Sequence, residues 1–213
     1  MISYEQLLEL LQTRRSVRRF REQAVTRGEL ERLLEAARWA PSNHNRQPWK
    51  FLVVEEREQI RALAESISVQ LARKLAALPA IAAGHAEELT HYATCFAGAP
   101  LLLVPLHKRP VSVSAALLTG VAEPALVSGE PLSVAMAVQN LLLAAHTLAL
   151  GACVLTAPLL VPEAWVATLQ IPAGFDATCF VAVGHPDETP AAPRRKNLEH
   201  LFEFRHTAAR GEP

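Results

Sequence analysis

Between Glu130 and Glu163 the chain carries no charged side chain. A run this apolar must be covered, since burying each large aliphatic side chain is worth about 1.5–3 kcal/mol. The cover is either a protein core or a membrane. A spanning helix needs about 20 apolar residues, so length alone admits a membrane. Three features argue against one. Gln139, Asn140 and His146 sit in the middle of the run, Gly151, Pro158 and Pro162 break it, and its flanks are acids rather than the Lys and Arg of a cytoplasmic boundary. The run therefore reads as a buried helix over residues 132–150, stopped by Gly151, then a buried strand over 152–156. A helix this evenly apolar has more than one face to bury, and a subunit interface would cover the second.

Around that core the pattern alternates. Leu7, Leu8, Leu10 and Leu11 give an amphipathic helix over 4–13, with Ser3 as its N-cap. Residues 17–20 read as extended. Thr26 followed by Glu29 is a capping-box signature, and Leu30, Leu33, Leu34 and Ala37 recur at helical spacing until Pro41. Residues 40–48 form a loop rich in Pro, Ser and Asn, and 50–54 a strand. A long helix over 58–78 ends at Pro79, and a further helix covers 87–97. A strand over 101–107, a helix from Pro162 to Leu169 and an apolar strand over 178–184 follow. Residues 111–129, punctuated by Gly, Ser and Pro, suit a cover over a site, as does 70–88. With no repeat and no linker, residues 1–213 read as one α+β domain built on a mixed sheet.

Lys plus Arg is 21 and Asp plus Glu is 21, a net charge of zero. That argues against a protein held on nucleic acid or an anionic membrane by bulk charge. The basic residues are nevertheless uneven. None lies from Pro110 to Pro193, while Arg14, Arg15, Arg18, Arg19 and Arg21 cluster near one end and Arg194, Arg195 and Lys196 near the other. Alone, these clusters fit a solvated basic face and a basic tail. Glu22, Glu29, Glu31 and Glu35 follow the first cluster at once and oppose a nucleic-acid patch. Three cysteines, an odd number spaced too widely for a scaffold, suit a reducing, cytoplasmic compartment. No Lys, Arg or His adjoins Cys153 or Cys179 in sequence, so neither shows an activating neighbour. The eight scattered histidines do not share helical faces as metal pairs would. There is no GxGxxG, GxxxxGK[ST], GxSxG or HExxH.

One ordered set rises above this background: Arg14-Arg15-Ser16-Val17-Arg18-Arg19-Phe20 after a helix, Ala40-Pro41-Ser42-Asn43-His44-Asn45-Arg46-Gln47-Pro48-Trp49 before a strand, Gly151-Ala152 after the uncharged helix, and Arg194-Arg195-Lys196-Asn197-Leu198-Glu199. In this order and over essentially the whole chain, the set resembles the FMN-dependent nitroreductase family. The resemblance implies a nitroreductase-like α+β fold, a central mixed, mainly antiparallel sheet flanked by helices, in an intertwined homodimer. It implies FMN at the subunit interface. Guanidinium forks match phosphate oxygens, so Arg14, Arg15 and Ser16, with Arg195 and its neighbour Arg194, are the phosphate candidates. Arg18 falls at the flavin's pyrimidine edge, where a cation stabilises the reduced, anionic form. A surface ion pair to Glu22 is its structural alternative. Pro41, Ser42 and Asn43 are expected to reach the flavin bound mainly by the other subunit, while Asn45 and Gln47 brace the loop and Trp49 packs in the core. Val154, Leu155 and Thr156 occupy the turn that lines the flavin, through backbone N–H groups because Val154 and Leu155 are apolar.

The activity the resemblance implies is ping-pong transfer from NADH or NADPH, through FMN, to a nitroaromatic, quinone or similar small-molecule acceptor. Hydride transfer between two cofactors needs no proton donor, so no catalytic side chain and no metal is expected. Alternatives on the same scaffold are reductive dehalogenation, flavin breakdown, or a flavin-binding redox sensor without turnover; a third reading is a nucleic-acid-binding protein using the arginine cluster.

Overall fold

The computed structural model describes residues 1–78, 85–110 and 129–205. Helices α1 (Tyr4–Thr13), α2 (Arg27–Arg38), α3 (Arg57–Ala76), α4 (Ala86–Thr94), α5 (Gly129–Thr147) and α6 (Val166–Leu169) are interspersed with strands β1 (Trp49–Val54), β2 (Leu101–Lys108), β3 (Gly151–Leu155), β4 (Phe175–Ala177) and β5 (Phe180–Gly184). The sheet order is β1-β2-β5-β3, with β4 also pairing β2, and every ladder is antiparallel.

The sheet is apolar on both faces, as a layer between two helical layers must be. Along β2, Leu101 and Leu103 enter one core, while Leu102, Val104 and Leu106 enter the other. The first core also holds α2 and α5 through Leu30, Leu33, Val134, Ala137 and Leu141. The second holds α3 through Ile60, Leu63, Ile67 and Leu71, closed by Phe96, Trp165 and Phe180. The Trp165 ring meets Phe180 edge-on, and its indole N–H donates to the Pro158 carbonyl at 2.8 Å. The uncharged run is thus a sandwiched helix and strand, and no described helix is long and apolar enough to cross a membrane.

Local chemistry explains the element ends. Ser3 and Thr26 both form reciprocal capping boxes, with Gln6 and Glu29. The end of α5 differs from the expected glycine stop. The chain reverses at Ala149, whose φ is 56°, and Leu150 N–H donates back to Ala145 at 2.8 Å. Gly151 already belongs to β3. A Cβ there would lie 2.6 Å from the Val17 Cβ, so the glycine permits a close strand approach rather than ending the helix.

The expected strand over 178–184 is β5, which starts two residues later at Phe180, and the short β4, Phe175–Ala177, precedes it outside the expected bounds. β4 pairs with the far end of β2, β5 with its start, and Thr178 N–H reaches the Pro105 carbonyl at 2.8 Å between them. The expected helix from Pro162 is a 3-10 turn, Pro162–Ala164, and the short α6, separated by the extended φ of Trp165. Residues 111–128, and 79–84 within the second proposed cover, lie outside the described residues.

Candidate functional site

The arginine segment leaves α1 at Arg14, whose ψ of 136° turns the chain out of the helix. It then runs along the outer edge of β3. Ser16 forms a parallel bridge with Ala152, and Val17 N–H donates to the Ala152 carbonyl at 3.1 Å. Phe20 bridges Pro186, and Arg21 N–H donates to the His185 carbonyl at 2.8 Å. Glu188 secures the middle. One carboxylate oxygen accepts the Arg18 N–H at 2.6 Å and the Arg19 N–H at 3.1 Å, and the other lies 3.4 Å from the Arg19 Nε. The Arg18 amide bond, the Arg19 amide and the two guanidinium charges together hold the Glu188 carboxyl below its ordinary value, against a smaller desolvation effect.

With the backbone pinned, side chains of both basic clusters converge. Arg14, Arg15, Ser16, Arg18 and Arg195, with Pro190, Ala191 and Pro193, line a cavity of about 200 Å³. No carboxylate is among its lining residues. The Arg15 guanidinium already donates to the Gln12 and Arg14 carbonyls, which satisfies the end of α1. Arg18 does not pair with Glu22, which faces Arg57 instead at 3.9 Å. Its guanidinium lies over the Tyr92 ring, 5.5 Å from the centroid, and its Nε is buried with no hydrogen-bond partner among the described residues. A buried N–H on a cation without an acceptor costs about 1–3 kcal/mol, which an incoming acceptor would recover.

The second loop is built separately. Its turn takes His44, Asn45 and Gln47 through φ of 50°, 52° and 47°. Ser42 holds it, accepting the Gln47 N–H on its hydroxyl at 3.0 Å and the Asn45 N–H on its carbonyl at 2.9 Å. The Gln47 amide donates to the Asn45 side chain at 3.3 Å, and Trp49 packs against the core of α2 and α5. The start of α5 anchors the loop. Asn43 N–H donates to the Ser133 hydroxyl at 3.2 Å, and Arg46 lies 3.5 Å from Glu130. Gly129 leaves room for Asn43, whose Nδ2 would sit 2.7 Å from a Cβ there.

The remaining candidates divide. Pro41, Ser42 and Asn43 do not line the arginine cavity of their own chain, nor does Arg194, which is exposed near its mouth. Val154 and Thr156 are exposed, whereas Leu155 is 5% exposed and turns into the core behind β3, leaving only its backbone for a ligand. Sequence reasoning missed Glu188, Tyr92 and the prolines of the cavity wall. Nothing local marks a carboxylate 170 positions from the amide it holds. It also found no activating neighbour for Cys153. The fold supplies several, since Cys95, Arg18 and Arg14 all act on its thiol.

The model of the nitroreductase family matches residues 11–185. The chain belongs to the nitroreductase family. An NADH dehydrogenase of Thermus thermophilus is 30% identical over 201 residues, 90% of this chain and 92% of that one. A 5,6-dimethylbenzimidazole synthase of Rhodobacter capsulatus is 30% identical over 203 residues, 92% of each. Matches to relatives from Archaeoglobus fulgidus and Methanothermobacter thermautotrophicus span 37% and 34% of those proteins' lengths. The fold is shared with a nitroreductase of Bacteroides fragilis solved with bound FMN, at a TM-score of 0.70 and 21% identity, covering 94% of this chain and 98% of that one. The expected nitroreductase fold is therefore the observed one.

Proposed function

We propose that this nitroreductase-family chain, as one domain, binds FMN and is an NAD(P)H-dependent oxidoreductase of small acceptors, working as a homodimer in the cytoplasm. The observation that carries the reading is the cavity lined by four guanidinium groups and one hydroxyl, with the buried Arg18 Nε still lacking an acceptor. An oxygen-rich, anionic group fits that donor set. A cavity of about 200 Å³ suits a terminal phosphate and its approach better than a whole dinucleotide.

In this reading Arg14, Ser16 and Arg195 hold the phosphate, and Arg15 braces the segment against α1. Arg18 offers its free N–H toward the flavin's pyrimidine edge. When bound, FMN supplies a two-electron carrier between a nicotinamide and the acceptor. The protein's own share is alignment and a fixed positive field, so no side chain is assigned a proton transfer. Pro41, Ser42 and Asn43, outside the cavity of their own chain, are assigned to the partner's site. Val154 on β3 and Thr156 just after it, both exposed, are assigned to the flavin's lining.

The names of the relatives support reduction by NADH but also include a dimethylbenzimidazole synthase. Acceptor reduction is preferred because the cavity lining contains no acid, base or nucleophile other than Ser16. The test is the visible spectrum of the pure protein, the mass of whatever is released on denaturation, and NAD(P)H consumption with a quinone or nitroaromatic. FMN and steady turnover are expected. Released FAD, or no flavin after reconstitution, would refute the cofactor. Bound FMN without turnover would leave a sensor and refute the enzyme.

A further inference from the structure

Glu188 fixes the backbone at Arg18, but it does not serve the Arg18 side chain. One of its carboxylate oxygens takes the two backbone N–H groups and the other turns to the Arg19 Nε. Glu22, the nearest acid in sequence, faces Arg57. What the Arg18 guanidinium meets is a ring. Its Cζ stands over Tyr92, 5.5 Å from the centroid, inside the range of about 6 Å for a cation–π contact.

The ring sits on an anchored helix. Ala93, next to Tyr92, is fully buried in the core that α4 shares with α3, and Leu89 packs against that core one turn earlier. The Thr90 and Thr94 hydroxyls donate to the carbonyls of Ala86 and Thr90, each at 2.8 Å, which keeps the helix polar groups satisfied along its length. Tyr92 itself is 44% exposed, and the His91 ring leans on it at 5.6 Å between centroids. The ring is thus a fixed surface beside the arginine segment that the core does not need for its own packing.

The kind of support decides what Arg18 can offer. A carboxylate would hold the guanidinium, but it would cancel the charge and occupy the N–H groups. An aromatic face holds a cation through the ring quadrupole and adds no charge of its own. Arg18 accordingly keeps its charge, and its buried Nε keeps its N–H without an acceptor among the described residues. With the backbone alone fixed, the long side chain would spread over its rotamers and the charge would have no set place.

We propose that Tyr92 is the positioning residue for Arg18: its ring, in place of an acid, holds the guanidinium with charge and N–H free for the flavin's pyrimidine edge. The proposal rests on the reading that the chain binds FMN with Arg18 at that edge. A cation held there favours the reduced, anionic flavin over the oxidised one, so Tyr92 acts through Arg18 on the reduction potential of the cofactor. Its hydroxyl has no part in this.

The test is the two-electron midpoint potential of FMN bound to the full chain. Tyr92→Phe should match the parent. Increasingly fluorinated phenylalanine at the same position keeps the shape but drains the ring face, and should lower the potential step by step. Tyr92→Leu should cost about threefold to tenfold in the preference for reduced flavin, which is about 15–30 mV. Arg18→Ala should lower the potential at least as far, and adding Tyr92→Leu to it should change nothing more. In the flavin-free chains, the melting temperatures of the same four proteins should show the two sites coupled. A potential that ignores ring fluorination and Tyr92→Leu while Arg18→Ala lowers it would overturn the role of Tyr92 and leave that of Arg18 standing. So would a further fall when Tyr92→Leu joins Arg18→Ala, or additive melts. A parent chain that takes up no FMN, or a potential unmoved by Arg18→Ala, would overturn the underlying reading and this proposal with it.

Discussion

At the scale of single residues, the cavity makes separable demands. Arg14 and Arg195 come from opposite ends of the chain to one 200 Å³ space that no carboxylate lines among the described residues. A charge-assisted contact is worth about 1.5–3 kcal/mol, so Arg14→Ala and Arg195→Ala should each weaken FMN binding about 10- to 150-fold. Melting temperature without FMN should hold, and fluorescence titration of the flavin measures the loss. Arg18 should behave differently. Arg18→Ala should slow flavin reduction by NAD(P)H at saturation, followed at 450 nm by stopped flow, without abolishing it. Arg18→Lys should recover much of the rate, because charge rather than proton transfer is the contribution. Gly151 tests packing instead of charge. An alanine Cβ would lie 2.6–2.9 Å from three atoms of the Val17 side chain, so strand and segment must separate. Overpacking of this kind costs about 1–3 kcal/mol. Gly151→Ala should lower the melting temperature and, by moving Ser16 and Arg18 with Val17, weaken flavin binding too.

At the scale of elements, the decisive contact is one that no local pattern announces. Glu188 holds the backbone of Arg18 and Arg19 and thereby aims the whole segment. Its carboxyl is held low in the folded state, first by the Arg18 amide. The stability it contributes is complete above the unfolded value of about 4.3 and is lost as pH falls through the lower folded value. Glu188→Gln keeps an acceptor but loses the charge, and should melt lower than the parent at pH 7 by an amount worth about 1 kcal/mol. That gap should close below pH 4, which thermal melts across pH would show. Elements governed by short-range rules were legible: α1 from its leucine spacing and Ser3 cap, α2 from its capping box, and the apolar strands from their run lengths. The clustering of Arg14 with Arg195 was legible only through the ordered motifs. Glu188 and Tyr92 were not, because each acts through long-range register. Strand β4 was missed too, since three residues with Asp176 at their centre carry no apolar run.

At the scale of the whole molecule, several apolar side chains stand exposed among the described residues. Helix α1 has no buried residue, and its Tyr4, Leu7 and Leu11 are exposed. On α5, Leu132 and Met136 stand out at 59% and 40% exposure, on the outward side that also carries Ala135 and Gln139. The tail presents Leu198, Leu201, Phe202 and Phe204, with Phe202 and Phe204 stacked edge to face at 5.4 Å. Exposed apolar side chains on these elements are what a subunit interface would cover. The loop carrying Pro41, Ser42 and Asn43 is anchored to the start of α5, close in sequence to Leu132 and Met136, and contributes nothing to its own chain's cavity. A second copy that covers α5 would bring this loop toward the other chain's arginines. Dimer and flavin should therefore dissociate together. Sizing and flavin fluorescence over one dilution series should give coincident transitions, because free FMN is brighter than a quenched, bound one. Replacing Leu132 and Met136 with Glu should move both transitions to higher protein concentration while leaving the isolated chain folded, since both side chains already face outward. A monomer that retains its FMN through the series would show that each chain completes its own site, and would return Pro41, Ser42 and Asn43 to a purely structural role.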